Sequence, residues 1–171
     1  LALPLLEQTD TTFRVALIRV LENGRMNKAA PELAKWLTDA ERPTEERAAT
    51  ARALRVLGDK SNVPALKELA TAKTVGTEAL RLEALRSLAA LDAGLGQATA
   101  HQLLNDADRM LQTEAVRVLG AQPEGAKFAG EAFLAKKLPR ELLPQVAEVL
   151  RKHADMHPDL AKLLAEVQKQ K

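Results

Sequence analysis

Ala16-Leu17-Ile18-Arg19-Val20-Leu21, Ala53-Leu54-Arg55-Val56-Leu57 and Ala115-Val116-Arg117-Val118-Leu119 are versions of one phrase. Each is apolar at helical spacing and each runs into a break. Weaker versions end at Leu91 (Leu88-Ala89-Ala90-Leu91) and at Leu150 (Ala147-Glu148-Val149-Leu150), so the anchor leucines stand 36, 34, 28 and 31 residues apart. After each anchor comes a turn and then a second apolar stripe: Leu33, Trp36 and Leu37; Val63, Leu66 and Leu69; Phe128, Phe133 and Leu134. The unit is a helical hairpin of about thirty residues, repeated nearly five times. One such hairpin cannot bury its apolar face alone, but stacked neighbours share a continuous core. A compact helix bundle is the competing architecture. It offers no reason to repeat both the phrase and its spacing.

The rest of the chain agrees with helices. Of 171 residues, Ala (31) and Leu (30) make up over a third, Ile occurs once, and Tyr and Cys never. The aromatics are Phe13, Trp36, Phe128 and Phe133. Ala and Leu favour helices, whereas strands want β-branched and aromatic side chains, so the composition predicts an all-α fold. Without Cys there is no disulfide framework and no thiolate metal site. No apolar run approaches the ~20 residues that span a bilayer, and the first residues show no charged-then-apolar leader. A balance of 25 basic against 23 acidic groups, net +2, implies no particular partner. Lack of Cys suits a bacterial cytoplasm or a periplasm equally, which leaves localisation open.

The breaks fall near Asn23-Gly24, Glu41-Arg42-Pro43, Gly58-Asp59, Val75-Gly76, Asp92 to Gly96, Gln122-Pro123, Leu138-Pro139 and Asp155 to Pro158. Gly is expected to close helices in the left-handed conformation and Pro to open them. Pro31, Pro64, Pro123, Pro139 and Pro158 stand where a new periodicity begins. Pro144, five residues after Pro139, requires a later helix start or a bend. First helices are expected at 1–8, 28–38, 62–72, 97–105, 124–136 and 158–169, and second helices at 11–22, 44–57, 77–91, 107–119 and 140–153. The whole chain 1–171 then reads as one repeat domain with units 1–24, 25–58, 59–92, 93–121 and 122–155 and a terminal helix over 156–171.

Asn62-Val63-Pro64-Ala65-Leu66-Lys67-Glu68-Leu69, followed by Leu80-Arg81-Leu82-Glu83-Ala84-Leu85-Arg86-Ser87-Leu88, resembles HEAT repeats. The likeness is to the short bacterial type related to the phycobilin-lyase HEAT-like group, down to the closing Leu57-Gly58-Asp59. It is strongest over 45–91, fair over 108–119 and weak after Pro139. The resemblance implies an α-α superhelix, a HEAT-like solenoid of about five hairpins plus a terminal helix, with second helices lining a concave face. It also implies a segment of a larger, multidomain bacterial protein. On that view Leu1, Leu3, Leu5 and Leu6 are interior leucines of a longer array, and uncapped ends favour end-to-end self-association.

Residues able to carry chemistry are few. Ser occurs only at Ser61, read as a helix N-cap or its neighbour, and at Ser87, inside a helix without a His at helical spacing. His153-Ala154-Asp155-Met156-His157 has a metal-like spacing, but it falls on a turn before Pro158 and reads as polar turn rather than site. His101 reads as a half-buried structural His, Trp36 as core, and Gly94-Leu95-Gly96 as a helix stop without the strand and third Gly of a phosphate loop. The expectation is a non-enzyme with no catalytic residue, no metal and no cofactor.

The arginines fall into two sets. Arg47, Arg81, Arg109 and Arg140 each lie ten residues before an anchor leucine. The resemblance assigns them to a structural ladder paired with acids such as Glu78, Asp106 and Asp108. Arg19, Arg52, Arg55, Arg86 and Arg117 lie two or five residues before the anchors, on the polar side of second helices, where a basic stripe would suit an acidic protein segment or phosphates. The competing reading is a solvated face offset by Glu83, Glu114 and Glu148. The leading function is a scaffold that docks a protein partner, or another domain of its own chain. One alternative is nucleic-acid binding of the kind seen in HEAT-like alkylpurine DNA glycosylases, although four aromatics and a near-neutral charge are a poor footprint for it. The other is a spacer between a sugar-dehydrogenase-like propeller and a c-type haem domain; the Cys-x-x-Cys-His haem motif itself does not occur in these residues.

Overall fold

The structure is a computed structural model that describes residues 10–170. The helix expected over 1–8, with Leu1, Leu3, Leu5 and Leu6 and the end-to-end contact built on them, lies outside the described residues. Among those residues every regular element is helical. In chain order the helices are α1 (Thr11–Asn23), α2 (Ala30–Thr38), α3 (Thr44–Leu57), α4 (Val63–Thr71), α5 (Glu78–Leu91), α6 (Ala93–Leu103), α7 (Arg109–Leu119), α8 (Pro123–Leu134), α9 (Leu143–Ala154) and α10 (Pro158–Gln168). Single 3-10 turns at Asn27–Ala29, Lys60–Asn62 and Arg140–Leu142 lead into α2, α4 and α9. The chain divides into two compact units, Leu1–Gly96 and Gln97–Lys171.

In the first unit α1, α3 and α5 pack in succession, while α2 lies on α3 and α4 on α5. Asp10 caps α1 by accepting from the Phe13 N–H at 2.9 Å, and prolines at the second position open α2 and α4. The apolar faces meet in a core of Ile18, Leu33, Leu37, Leu54, Leu66, Leu80, Leu85 and Leu88, all essentially inaccessible. A charge is buried with them. The Glu46 side chain has no exposed surface and is held by Arg14, whose Nε donates to Oε1 at 2.8 Å, and by Arg42 at 3.5 Å from Oε2. The Arg42 guanidinium also lies 3.6 Å over the ring of buried Trp36. Ser87 Oγ donates to the Ala51 carbonyl at 2.7 Å and so ties α5 to α3.

In the second unit α8 contacts α7, α9 and α10; α9 also contacts α7 and α10. Here small residues set the spacing. A methyl group on Gly120 would collide with Val149 of α9, and one on Gly130 would come within 2.7 Å of Leu163 of α10. Leu111, Leu119, Ala126, Ala129, Phe133, Leu142, Val146, Leu150, Leu160 and Val167 form the buried interior.

Two sequence expectations need correction, and one open choice is decided. The Gly94-Leu95-Gly96 stretch does not stop a helix: α6 begins at Ala93 and runs through both glycines, with Asp92 Oδ1 accepting from the Leu95 N–H at 2.9 Å. Gly96 is there for contact, since a Cβ would sit 2.5 Å from Ala89 Cα. Nor do the helix-closing glycines take the left-handed conformation. Gly24 (φ −77) and Gly120 (φ −66) stay right-handed, and Gly58 (φ −81) is extended. After α1 and α8 that conformation falls to Arg25 (φ 48) and Lys136 (φ 58). Pro144, lastly, is the second residue of α9, which starts at Leu143 after the Arg140–Leu142 turn; the helix starts late and does not bend there.

Candidate partner-binding face

In the first unit the phrase that repeats along the sequence presents itself twice to solvent. Arg19 and Val20 are exposed on α1; on α3, packed beside it, Arg55 is half-exposed and Val56 exposed. Val20 is 56% and Val56 45% accessible. Both stand one residue before an anchor leucine, about 100° round the helix from it, and so miss the core that the anchors enter. Arg19 and Arg55 have no ion pair or hydrogen bond among the described residues.

The other arginines of the expected stripe are neutralised. Arg52 Nε donates to Glu22 Oε2 at 3.1 Å between α3 and α1, and Arg86 Nη1 donates to Glu83 Oε1 at 2.8 Å within α5. In the second unit Arg117 Nε donates to Glu114 Oε1 at 2.8 Å. Glu83 and Glu114 thus offset Arg86 and Arg117, as the solvated-face reading expects. In the first unit the uncompensated part of the stripe narrows to Arg19 and Arg55, flanked by two exposed valines.

The second set of arginines is placed differently. Arg47 Nε donates to the Leu37 carbonyl at 3.0 Å, and buried Arg81 donates to the Ala70 carbonyl at 3.3 Å. Each satisfies an end-of-helix carbonyl of the preceding helix, which has no partner within its own helix. Gln112 does the same in the second unit, donating to the Leu104 carbonyl at 3.1 Å. Arg109 pairs with Glu141, 32 residues on, at 3.0 Å. Arg140 takes part in no ion pair among the described residues. Of the acids suggested as ladder partners, Glu78 accepts from the Gly76 N–H and Asp108 caps α7 through the Leu111 N–H.

The few residues with catalytic potential are engaged in holding the fold. Ser61 is a neighbour of the cap: it stands beside Asn62, the N-cap of α4, and Asp59 caps the Lys60–Asn62 turn by accepting from the Ser61 N–H at 2.8 Å and the Ser61 hydroxyl at 2.5 Å. Those bonds hold the Asp59 carboxyl below its ordinary value, the hydroxyl bond most of all. A cavity of about 430 Å³ next to it is lined by Asn27, Pro31, Leu57, Asp59, Ser61 and Asn62, with the Ser61 hydroxyl and the Asp59 carboxylate bonded to each other in its wall. His153 Nε2 lies 2.9 Å from the Gly120 carbonyl. His101 is exposed, contrary to the half-buried placement expected of it, and meets exposed Phe128 edge to face with ring centres 4.3 Å apart. Among the described residues no group of three or more His, Asp and Glu is placed to hold a metal ion, and no helix is long and apolar enough to cross a membrane.

Two features lay outside the sequence reading. Nothing in the sequence singled out Glu46; only the partners Arg14 and Arg42 reveal it as a buried charge. Val20 and Val56 were absorbed into an apolar phrase, although the helical angle from the anchor leucine already turned them outward. Comparison with protein-family models, with curated proteins and with solved structures finds no match.

Proposed function

We propose that the chain is a non-catalytic interaction module of HEAT-like type that docks a protein segment against the solvent-facing side of α1 and α3, the second helices expected to line a concave face. The observation that carries the reading is the paired Arg19-Val20 and Arg55-Val56, two guanidinium groups without an ion pair among the described residues beside two exposed valines on adjacent helices. Guanidinium groups bind carboxylates through two parallel hydrogen bonds, and aliphatic side chains between them add apolar contact. The matching partner is therefore acidic and partly apolar. Contacts between residues about one repeat apart support the repeat reading: Arg14–Glu46, Arg109–Glu141 and Lys127–Asp159 each span 32 residues, and Arg52–Glu22 spans 30. The structural use of both serines and of His153 supports a role without catalysis.

The test is photo-crosslinking from position 56. Val56→p-benzoylphenylalanine, made in the cell that expresses the protein, should yield one dominant adduct that disappears in an Arg19→Glu/Arg55→Glu background. A crosslinker placed on α4 at Lys67 should not form it. The same adducts from both positions would remove the face from the proposal.

A further inference from the structure

In the second unit a cavity of about 270 Å³ is lined by Phe133, Lys136, Leu138, Arg140 and Gln170. Phe133 and Leu138 are buried and make an apolar floor; Lys136, Arg140 and Gln170 are exposed and make a polar rim. Among the described residues no carboxylate lines it. Lys136, Lys137 and Arg140 take part in no ion pair among the described residues, and Lys136 and Arg140 alone of the unit's cations line this cavity. The acid beside them in sequence, Glu141, accepts from Arg109 at 3.0 Å. Its own backbone N–H first, and Arg109 second, hold its carboxyl below the ordinary value, so it remains an anion committed elsewhere.

Backbone geometry adds an independent sign. Lys136 closes α8 at φ 58, with its N–H on the Phe133 carbonyl and the Lys137 N–H on the Ala132 carbonyl. That turn favours glycine, because a side chain in the left-handed region meets its own carbonyl. The position holds a cation at the mouth of an apolar cavity instead. A strained residue of this kind is a reason to look for a ligand.

We infer that this cavity binds a carboxylate carried next to an aliphatic side chain, as in a short acidic peptide segment of a protein partner. Lys136 and Arg140 take the carboxylate, and the Phe133–Leu138 floor takes the side chain. The volume falls below the ~300–1,000 Å³ of small-molecule sites, which fits one side chain better than a cofactor. A bare phosphate would leave the apolar floor wet, and buried Phe133 offers no stacking platform for a base. The assignment stands apart from the α1–α3 face.

The experiment is an NMR titration of the ¹⁵N-labelled chain with N-acetyl-Glu-Leu-Glu-Leu-amide, with its Gln-Leu-Gln-Leu counterpart, and with inorganic phosphate. The acidic peptide should give saturable shifts at residues 133–142 and Gln170, with the other two at least about ten-fold weaker. Lys136→Gly is the decisive variant, because it should raise the Tm by about 1–3 °C while weakening the peptide several-fold. A loss of binding in a more stable protein cannot come from misfolding. Arg140→Glu should abolish the shifts. No saturable shift, equal binding of the uncharged peptide, equal binding of phosphate, or full affinity in Lys136→Gly would each overturn the assignment. Shifts confined to residues 15–20 and 52–56 would also overturn it, while leaving the α1–α3 reading intact.

Discussion

The two units bury similar apolar faces but join their helices by different means. In Leu1–Gly96 polar groups cross between helices inside the protein: Arg14 to buried Glu46, Arg52 to Glu22, and Ser87 to the Ala51 carbonyl. In Gln97–Lys171 the ion pairs between helices, Arg109–Glu141 and Lys127–Asp159, lie outside, the side chains that cross inside are Gln97, Gln112 and His153 on backbone carbonyls, and close approach at Gly120, Gly125 and Gly130 sets the spacing. The difference teaches where each is vulnerable. A unit joined by buried polar groups fails when a partner is removed, and one joined by small residues fails when atoms are added.

The largest expected effect is on the first unit. Arg14→Ala leaves the Glu46 carboxylate buried with Arg42 alone, which should cost about 3 kcal/mol in urea unfolding. Glu46→Leu should cost less, because Arg14 and Arg42 are each partly exposed and can turn toward water. If the two losses were equal, the buried charge would not be what joins α1 to α3. Next comes Gly120→Ala, which drives a methyl into Val149 and should destabilise by about 1–3 kcal/mol; a neutral result would mean that α7 and α9 can part freely. Ser87→Ala should cost about 1 kcal/mol by removing the hydroxyl bond that ties α5 to the Ala51 carbonyl of α3, which keeps its own helical bond. Smallest is Lys127→Ala, whose exposed pair should leave the urea midpoint within error of the parent.

Acid sharpens the contrast. Asp59 in the first unit, and Glu141 and Asp159 in the second, have carboxyl groups held below their ordinary values by hydrogen bonds, to Ser61, to the Glu141 backbone N–H, and to Lys127 respectively. A depressed folded value means that the stabilisation is present above the unfolded value of about 4 and fades as pH falls through the lower folded one. Circular dichroism melts should therefore lose Tm below about pH 4, and Asp59→Asn should flatten that loss.

Helix placement was legible because Ala- and Leu-rich phrases, prolines and anchor leucines act locally: α3 falls at 44–57 as expected, and α8 and α10 within two residues. Where a residue's role is set by a neighbour far along the chain, the sequence was silent. Gly96 reads as a helix stop until Ala89 is seen against it, and nothing marks Glu46 until Arg14 is seen beside it. The candidate face was half legible. The arginine spacing pointed at the solvent-facing side of α1 and α3, but which guanidinium groups were paired depended on Glu22 and Glu83, whose partners spacing alone does not fix.

Hydrogen–deuterium exchange on the chain, alone and bound to the protein captured from position 56, tests the docking face most directly. Protection should concentrate on α1 and α3, across residues 15–23 and 50–57, and vanish in Arg19→Glu/Arg55→Glu. Protection confined to α2 and α4, with those two helices unchanged, would contradict recognition by the Arg19-Val20 and Arg55-Val56 surface.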